Sequence, residues 1–174
     1  MRRVHHLILA PLAILVACEG PAPTESAMAS SEVHSVKLTA ATGSGHYFSG
    51  GEQRTFAFSA VEHADGSASG QFEIVIHAID RYIQASVTCL AVRNDTAWVA
   101  GVVTKTNHPA VIPGRVSYFW AVDGGEGAGT EDKVSTARIN DAVGEDARFC
   151  SITPDEAFSG LPGNVVQRGN VQVH

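Results

Sequence analysis

The sequence predicts an all-β fold: a single antiparallel β domain of about eight or nine strands, with a barrel preferred and a sandwich as the alternative. Three observations carry that prediction. Short stretches in which apolar and polar residues alternate recur along most of the chain, which is the period of half-buried strands. Turn-forming segments such as Asp65-Gly66 and Asn94-Asp95 separate them, and Asp-Gly between alternating runs is a strong hairpin signal. The composition, with 17 Gly, many Val and Thr, and few Leu or Lys, favours strands over helices. A chain of this size with long meandering hairpins can close on itself and hide its edges, hence the preference for a barrel.

Taken in order, Val36, Leu38 and Ala40 alternate with Lys37 and Thr39 as a first strand. Gly43, Gly45, Gly50 and Gly51 bracket His46-Tyr47-Phe48, a short strand between turns. Phe56, Phe58 and Ala60 share one face of the next strand, and the turn at 63–70 leads into Phe72, Ile74, Ile76 and Ala78 on one side. Glu73 and His77 fall on the other side of that run, two residues to either side of Val75. Ile83, Ala85, Val87 and Cys89 continue in a single register. After Asn94-Asp95 come TAWVAGVVTKT, a Pro-containing loop, and an alternation of Val116, Tyr118, Trp120 and Val122. A Gly-rich acidic loop, a strand KVSTARI and a closing strand GNVQVH complete the pattern, and residues 141–162 read as loop with one helical turn.

The amino terminus carries a different signal. Arg2 and Arg3 precede an apolar core, Leu7 to Ala17, interrupted by Pro11. That core falls short of the roughly 20 apolar residues a membrane span needs, and its layout is that of a secretory signal. Its end, Leu15-Val16-Ala17-Cys18, resembles the lipobox of bacterial lipoproteins. The resemblance implies cleavage before Cys18, diacylglycerol on its thiol and an acylated new amino terminus. Residues 1–17 are then a signal peptide, residues 18–33 a lipidated cysteine with a Pro-, Ala-, Ser- and Glu-rich tether, and residues 34–174 the β domain. Two or three buried chains anchor stably where one binds marginally. The expected place is the bacterial cell envelope, with the outer membrane favoured in a diderm cell because Glu19, not Asp, follows the cysteine.

The formal net charge is −6, and losing Arg2 and Arg3 with the signal leaves 10 basic against 18 acidic side chains. That balance argues against nucleic acid or anionic lipid as a partner. Beyond Cys18 the chain has two cysteines, Cys89 and Cys150, which in an oxidising compartment read as a disulfide.

Several segments together resemble an uncharacterised family of secreted bacterial β domains sometimes labelled post-COAP. They are GSGHYFSGGEQRTFAFSA, ADGSASGQFEI, NDTAWVAGVV, VDGGEGAGTED and the terminal GNVQV. Asp123-Gly124-Gly125-Glu126 stands where that family has Asp-Asn-Gly-Glu, and Asn94-Asp95-Thr96-Ala97 departs from its Gly-Asn-x-Ala. The resemblance spans most of residues 41–173 and implies a shared all-β fold, with no activity attached.

Candidate sites are few. Asp123, Glu126, Glu131 and Asp132 place four carboxylates in a Gly-rich loop, the chemistry calcium uses, although their spacing matches neither an EF-hand nor a nonapeptide repeat. The competing reading is a solvated acidic hairpin loop. Six of the eight histidines lie beyond Cys18 (His34, His46, His63, His77, His108 and His174), and none forms an HxH or HxxxH pair. Glu73 with His77 is a conceivable acid/base pair, with a polar outer face as the plainer reading. There is no GxSxG and no P-loop, so no catalytic residue and no cofactor is expected. Trp98, Trp120, Phe56 and Phe58 are candidates for a cavity binding a small apolar ligand; otherwise they are core. The sequence thus points to a lipid-anchored envelope protein with a non-catalytic structural, adhesive or binding domain, attached to the membrane through Cys18. An apolar-ligand barrel is the alternative, and a hydrolase-type enzyme comes third.

Overall fold

Strands alternate their side chains between two faces, so a meander with one apolar face must curl to bury that face. The computed structural model describes residues 38–126, 130–140 and 161–174, all within the unit Ser35–His174. Six strands form the meander: β1 (Ala40–Ser49), β2 (Glu52–Glu62), β3 (Ala68–Ile76), β4 (Arg81–Arg93), β5 (Thr96–Thr106) and β6 (Val116–Val122). Four short strands follow: β7 (Lys133–Ser135), β8 (Arg138–Asn140), β9 (Gly163–Val165) and β10 (Arg168–Val173). The described residues thus form one antiparallel sheet in the order β10-β1-β2-β3-β4-β5-β6-β7-β9, with β8 paired to β6, curled into a half-barrel. The fold is all-β, as the alternation predicts.

The inner face is packed with rings. Phe56, Phe58, Phe72 and Phe119 are buried with Tyr47, Val99, Val134 and Val171 in one cluster. Phe119 on β6 meets Phe58 on β2 edge-on at 5.3 Å and Phe72 on β3 at 5.1 Å between ring centroids. Strands that are not neighbours in the sheet thus touch across its interior, which is the physical content of the curl. Gly43 lies directly opposite Phe58, and a Cβ there would sit 2.5 Å from the Phe58 ring, so the glycine makes room for it.

The two edges are drawn together by the C-terminal run. β9 pairs with β7, and two residues later β10 pairs with β1. Between them the Val166 N–H donates to the Asp132 carbonyl at 2.9 Å and the Gln167 N–H to the His46 carbonyl at 2.9 Å. At this seam β10 also meets side chains where another strand would offer carbonyls. The Val171 N–H donates to Asp132 Oδ2 at 2.7 Å and the Val173 N–H to Asp123 Oδ2 at 3.1 Å.

Hairpin chemistry follows the sequence. Gly66 adopts φ 80° and Asn94 φ 52° in the two predicted turns, the left-handed region that Gly and Asn tolerate best. The Ser67 N–H and hydroxyl both donate to Asp65, holding its carboxyl below the usual carboxylate range. Antiparallel pairing puts the β1–β2, β3–β4 and β5–β6 connections at one end of the sheet. The β2–β3, β4–β5 and β6–β7 connections lie at the other.

At three places the chain departs from the local alternation. Cys89 does not share a face with Ala85 and Val87, because a bulge shifts the β4 register between Val87 and Cys89. Cys89 joins the cluster of Ala100 and Val116, whereas Leu90 returns to the inner core. His77 does not continue β3; the chain leaves the strand there into a 3₁₀ turn, His77–Ile79, ending at Asp80 in the left-handed region. KVSTARI is two strands, β7 and β8, pairing with different stretches of β6. Beside that break the Trp120 N–H finds the hydroxyl of the buried Ser135 at 2.9 Å, which satisfies a ladder donor with a side chain.

A buried tyrosine packs against a half-buried arginine that pairs with Glu52. Tyr47 is fully buried opposite Arg54, and neither its hydroxyl nor Arg54 Nε has a hydrogen-bond partner among the described residues. Burial raises the phenol's pKa above 10.0, with the Arg54 charge opposing that rise. At neutral pH the phenol is protonated in both states and contributes no pH dependence. As pH rises through about 10 the unfolded chain ionises first, so stability is lost between the unfolded and the higher folded pKa. An alkaline titration followed by phenolate absorbance is expected to contain a late component that vanishes in Tyr47→Phe. At pH 7 that variant is expected to melt close to the parent, since the hydroxyl lies beside the Arg54 guanidinium without a hydrogen bond of good geometry.

Candidate functional site

A trough of about 730 Å³ lies on the outside of the curled sheet. Its walls are the outward-pointing members of the alternation whose inward members build the core. One row runs in register across five strands as Gln172, Thr42, Ser59, Gln71 and Ser86. The next, two residues along each strand, is Asn170, Ser44, Ala57, Glu73 and Gln84. Neighbouring strands stand about 4.8 Å apart, so each row presents polar groups at that spacing. Gln84 donates to Glu73, and the Thr104 hydroxyl donates to the Gln84 carbonyl at 3.2 Å. The other polar side chains of the two rows have no partner among the described residues. Glu73 is the lone charge on this surface. Such a surface can exchange hydrogen bonds with a neutral polar ligand.

The predicted site residues are distributed as follows. Trp98 and Trp120 face each other across β5 and β6 on the outer side, packed with Cys89, Ala100, Val116, Tyr118 and Leu161. The Trp120 ring lies against Gly163, where a Cβ would come within 2.4 Å of it. Phe56 and Phe58 belong to the inner cluster, stacked at 6.2 Å. The four residues therefore divide between two faces and do not line one cavity.

Asp123, Glu126, Glu131 and Asp132 likewise do not converge. Asp132 accepts from the Gly124 N–H at 2.8 Å with one oxygen and from Val171 with the other. Asp123 accepts from the Gly125 N–H at 2.8 Å and from Val173. Glu126 and Glu131 are exposed. Among the described residues no three His, Cys, Asp or Glu side chains are grouped to hold a metal ion. The loop's sequence signal, a cluster of carboxylates, was visible; its partners are backbone donors on a strand 39 and 50 residues away.

The histidines are likewise scattered. His77 Nε2 is 3.2 Å from the Thr55 hydroxyl, His63 Nε2 is 2.7 Å from the Ser69 hydroxyl, and His108 Nδ1 accepts from the Ala110 N–H at 3.2 Å. Glu73 bonds Gln84 and not His77. None of these histidines hydrogen-bonds a carboxylate among the described residues. Cys89 is disulfide-bonded. Cys150 and Cys18 lie outside the described residues.

The fold and trough define a class, a single curled antiparallel sheet with a filled interior and a polar outer face. No protein-family model, curated protein or solved structure matches the chain.

Proposed function

We propose that this chain is a lipid-anchored lipoprotein of the bacterial cell envelope whose β domain is non-catalytic and binds or adheres through its outer surface. The Leu15-Val16-Ala17-Cys18 sequence supports the anchor, and the tether-like composition of residues 19–32 supports a domain held off the membrane. The observation that carries the binding role is the trough: two in-register rows, mostly of hydroxyl and amide groups with Glu73 and Ala57 among them, backed by an interior filled with aromatic rings. A ring-filled interior favours a partner on the outside over a small apolar ligand within.

Cell fractionation tests the anchor. After a half-molar salt wash, wild-type chain is expected to stay in the membrane fraction and Cys18→Ser to be released; equal retention of the two overturns the reading. For the trough, calorimetric titration with a soluble neutral oligosaccharide of four units is expected to give saturable heat that Ser59→Trp abolishes. Heat unaffected by that substitution removes the trough from the proposal.

A further inference from the structure

Net charge treats the molecule as a point, but the meander sorts its charges by end. The β2–β3, β4–β5 and β6–β7 end carries Glu62, Asp65, Asp95, Asp123, Glu126, Glu131 and Asp132, against Arg93 and Lys133. The opposite end, around the β1–β2, β3–β4 and β5–β6 connections, carries Arg54, Arg81, Lys105 and Arg115, against Glu52 and Asp80. The described domain is acidic at one end and basic at the other.

The exposed large apolar side chains follow the same division. Phe48 is 51% exposed beside the β1–β2 turn, Ile79 50% in the β3–β4 turn and Ile112 57% in the β5–β6 loop. All three belong to the basic end. Leu38, 47% exposed, lies at the other end, where the chain enters β1. Scattered surface hydrophobics need no explanation, but one on each of three successive loops at the same end does. Backbone carbonyls and a ring are among the contacts of the cations around them. Arg81 donates to the Asn107 carbonyl at 2.8 Å, Arg115 to the Ala110 carbonyl at 3.3 Å, and Lys105 Nζ lies 5.7 Å from the Tyr82 ring centre.

We propose that this end of the domain is a membrane-contact surface. Phe48, Ile79 and Ile112 enter the headgroup boundary of an anionic phospholipid bilayer, while Arg81 and Lys105 lie at its phosphates. Apolar groups with neighbouring cations are the pairing that interfacial binding uses, and the acidic end turns away from the same surface. A soluble polyanion would engage the cations and leave three apolar side chains in water, which is why lipid is the better fit. The surface stands on the loops alone and needs no lipid on Cys18. Where Cys18 is lipidated, the 20 residues from Glu19 to Leu38 can extend up to about 70 Å, and a strand as long as β2 measures about 36 Å. The tether is therefore long enough for the loop end to reach the bilayer that holds the anchor.

The test uses the chain from Glu19 onward, which retains the whole Ser35–His174 unit but lacks both the apolar leader and Cys18. It is mixed with phosphatidylcholine vesicles with and without about one-third phosphatidylglycerol. Sedimentation is expected to show binding at least tenfold tighter to the anionic vesicles, weakened by half-molar salt. The triple variant Phe48→Ser, Ile79→Ser, Ile112→Ser is expected to lose about tenfold in affinity. Phe48→Trp alone keeps an apolar tip, and its fluorescence is expected to shift to the blue on anionic vesicles. Absence of binding, or a tryptophan emission that does not move, overturns the proposal. So does salt-sensitive binding that ignores the triple substitution, which would assign this end to a purely ionic polyanion.

Discussion

Phe119→Ala is expected to destabilise the domain by about 3–5 kcal/mol, the range for truncating a buried phenylalanine. Phe119 is 1% exposed and is the ring at which β6 meets both β2 and β3 across the interior. Its loss removes two edge-on aromatic contacts as well as the buried area, and leaves a cavity that its neighbours fill only in part. Thermal unfolding by circular dichroism is expected to show a midpoint lowered by roughly 10–20 °C for a domain of this size. Phe119→Leu, which fills most of the same space, is expected to recover more than half of the loss. A shift of only a few degrees in the alanine variant would mean that the interior is not packed around this ring.

Asp132→Ala is expected to cost about 2–4 kcal/mol, for a different reason. Its carboxylate takes one N–H from Gly124 and another from Val171, tying its own loop to the sheet's far edge. Hydrogen bonds to a charged acceptor contribute about 1.5–3 kcal/mol each when buried, and these are only partly buried. Asp132→Asn keeps one acceptor oxygen and is expected to lose about half as much. The specific signature is local: amide exchange at Val171 and Val173 is expected to accelerate more than exchange in β2 or β3. Uniform acceleration across the sheet would show that the carboxylate acts on global stability without holding the seam.

These two residues show what the sequence makes legible. Phe119 sits in an alternating run, so its strand could be read locally, but which face of that run is inner could not. Val116, Tyr118 and Trp120 have the same period, and both faces of β6 are apolar because a second cluster covers the outer one. The bulge after Val87 is of the same kind: nothing in SVTCLAV marks the extra residue, and one shift in register moves Cys89 to the opposite face. Asp132 was conspicuous as part of an acidic loop, yet its role depends on β10 arriving beside that loop, a tertiary fact.

The charge division was legible in principle. Hairpins alternate ends, so once the strands are counted the acids of the even turns and the cations of the odd ones separate. Net charge hides this, and it pointed away from anionic lipid for that reason. The trough was written in the polar half of the alternation, in Thr42, Ser59, Gln71 and Ser86, but without strand register those residues look like ordinary surface.

The claim on which the functional account depends most is that Cys18 becomes a lipid-bearing amino terminus. Intact mass spectrometry of the protein extracted from membranes measures it directly. The expected result is a chain beginning at Cys18 whose mass exceeds that of residues 18–174 by a diacylglyceryl group and a further acyl chain. An exported chain with no added lipid mass, or one cleaved at another residue, would contradict the account.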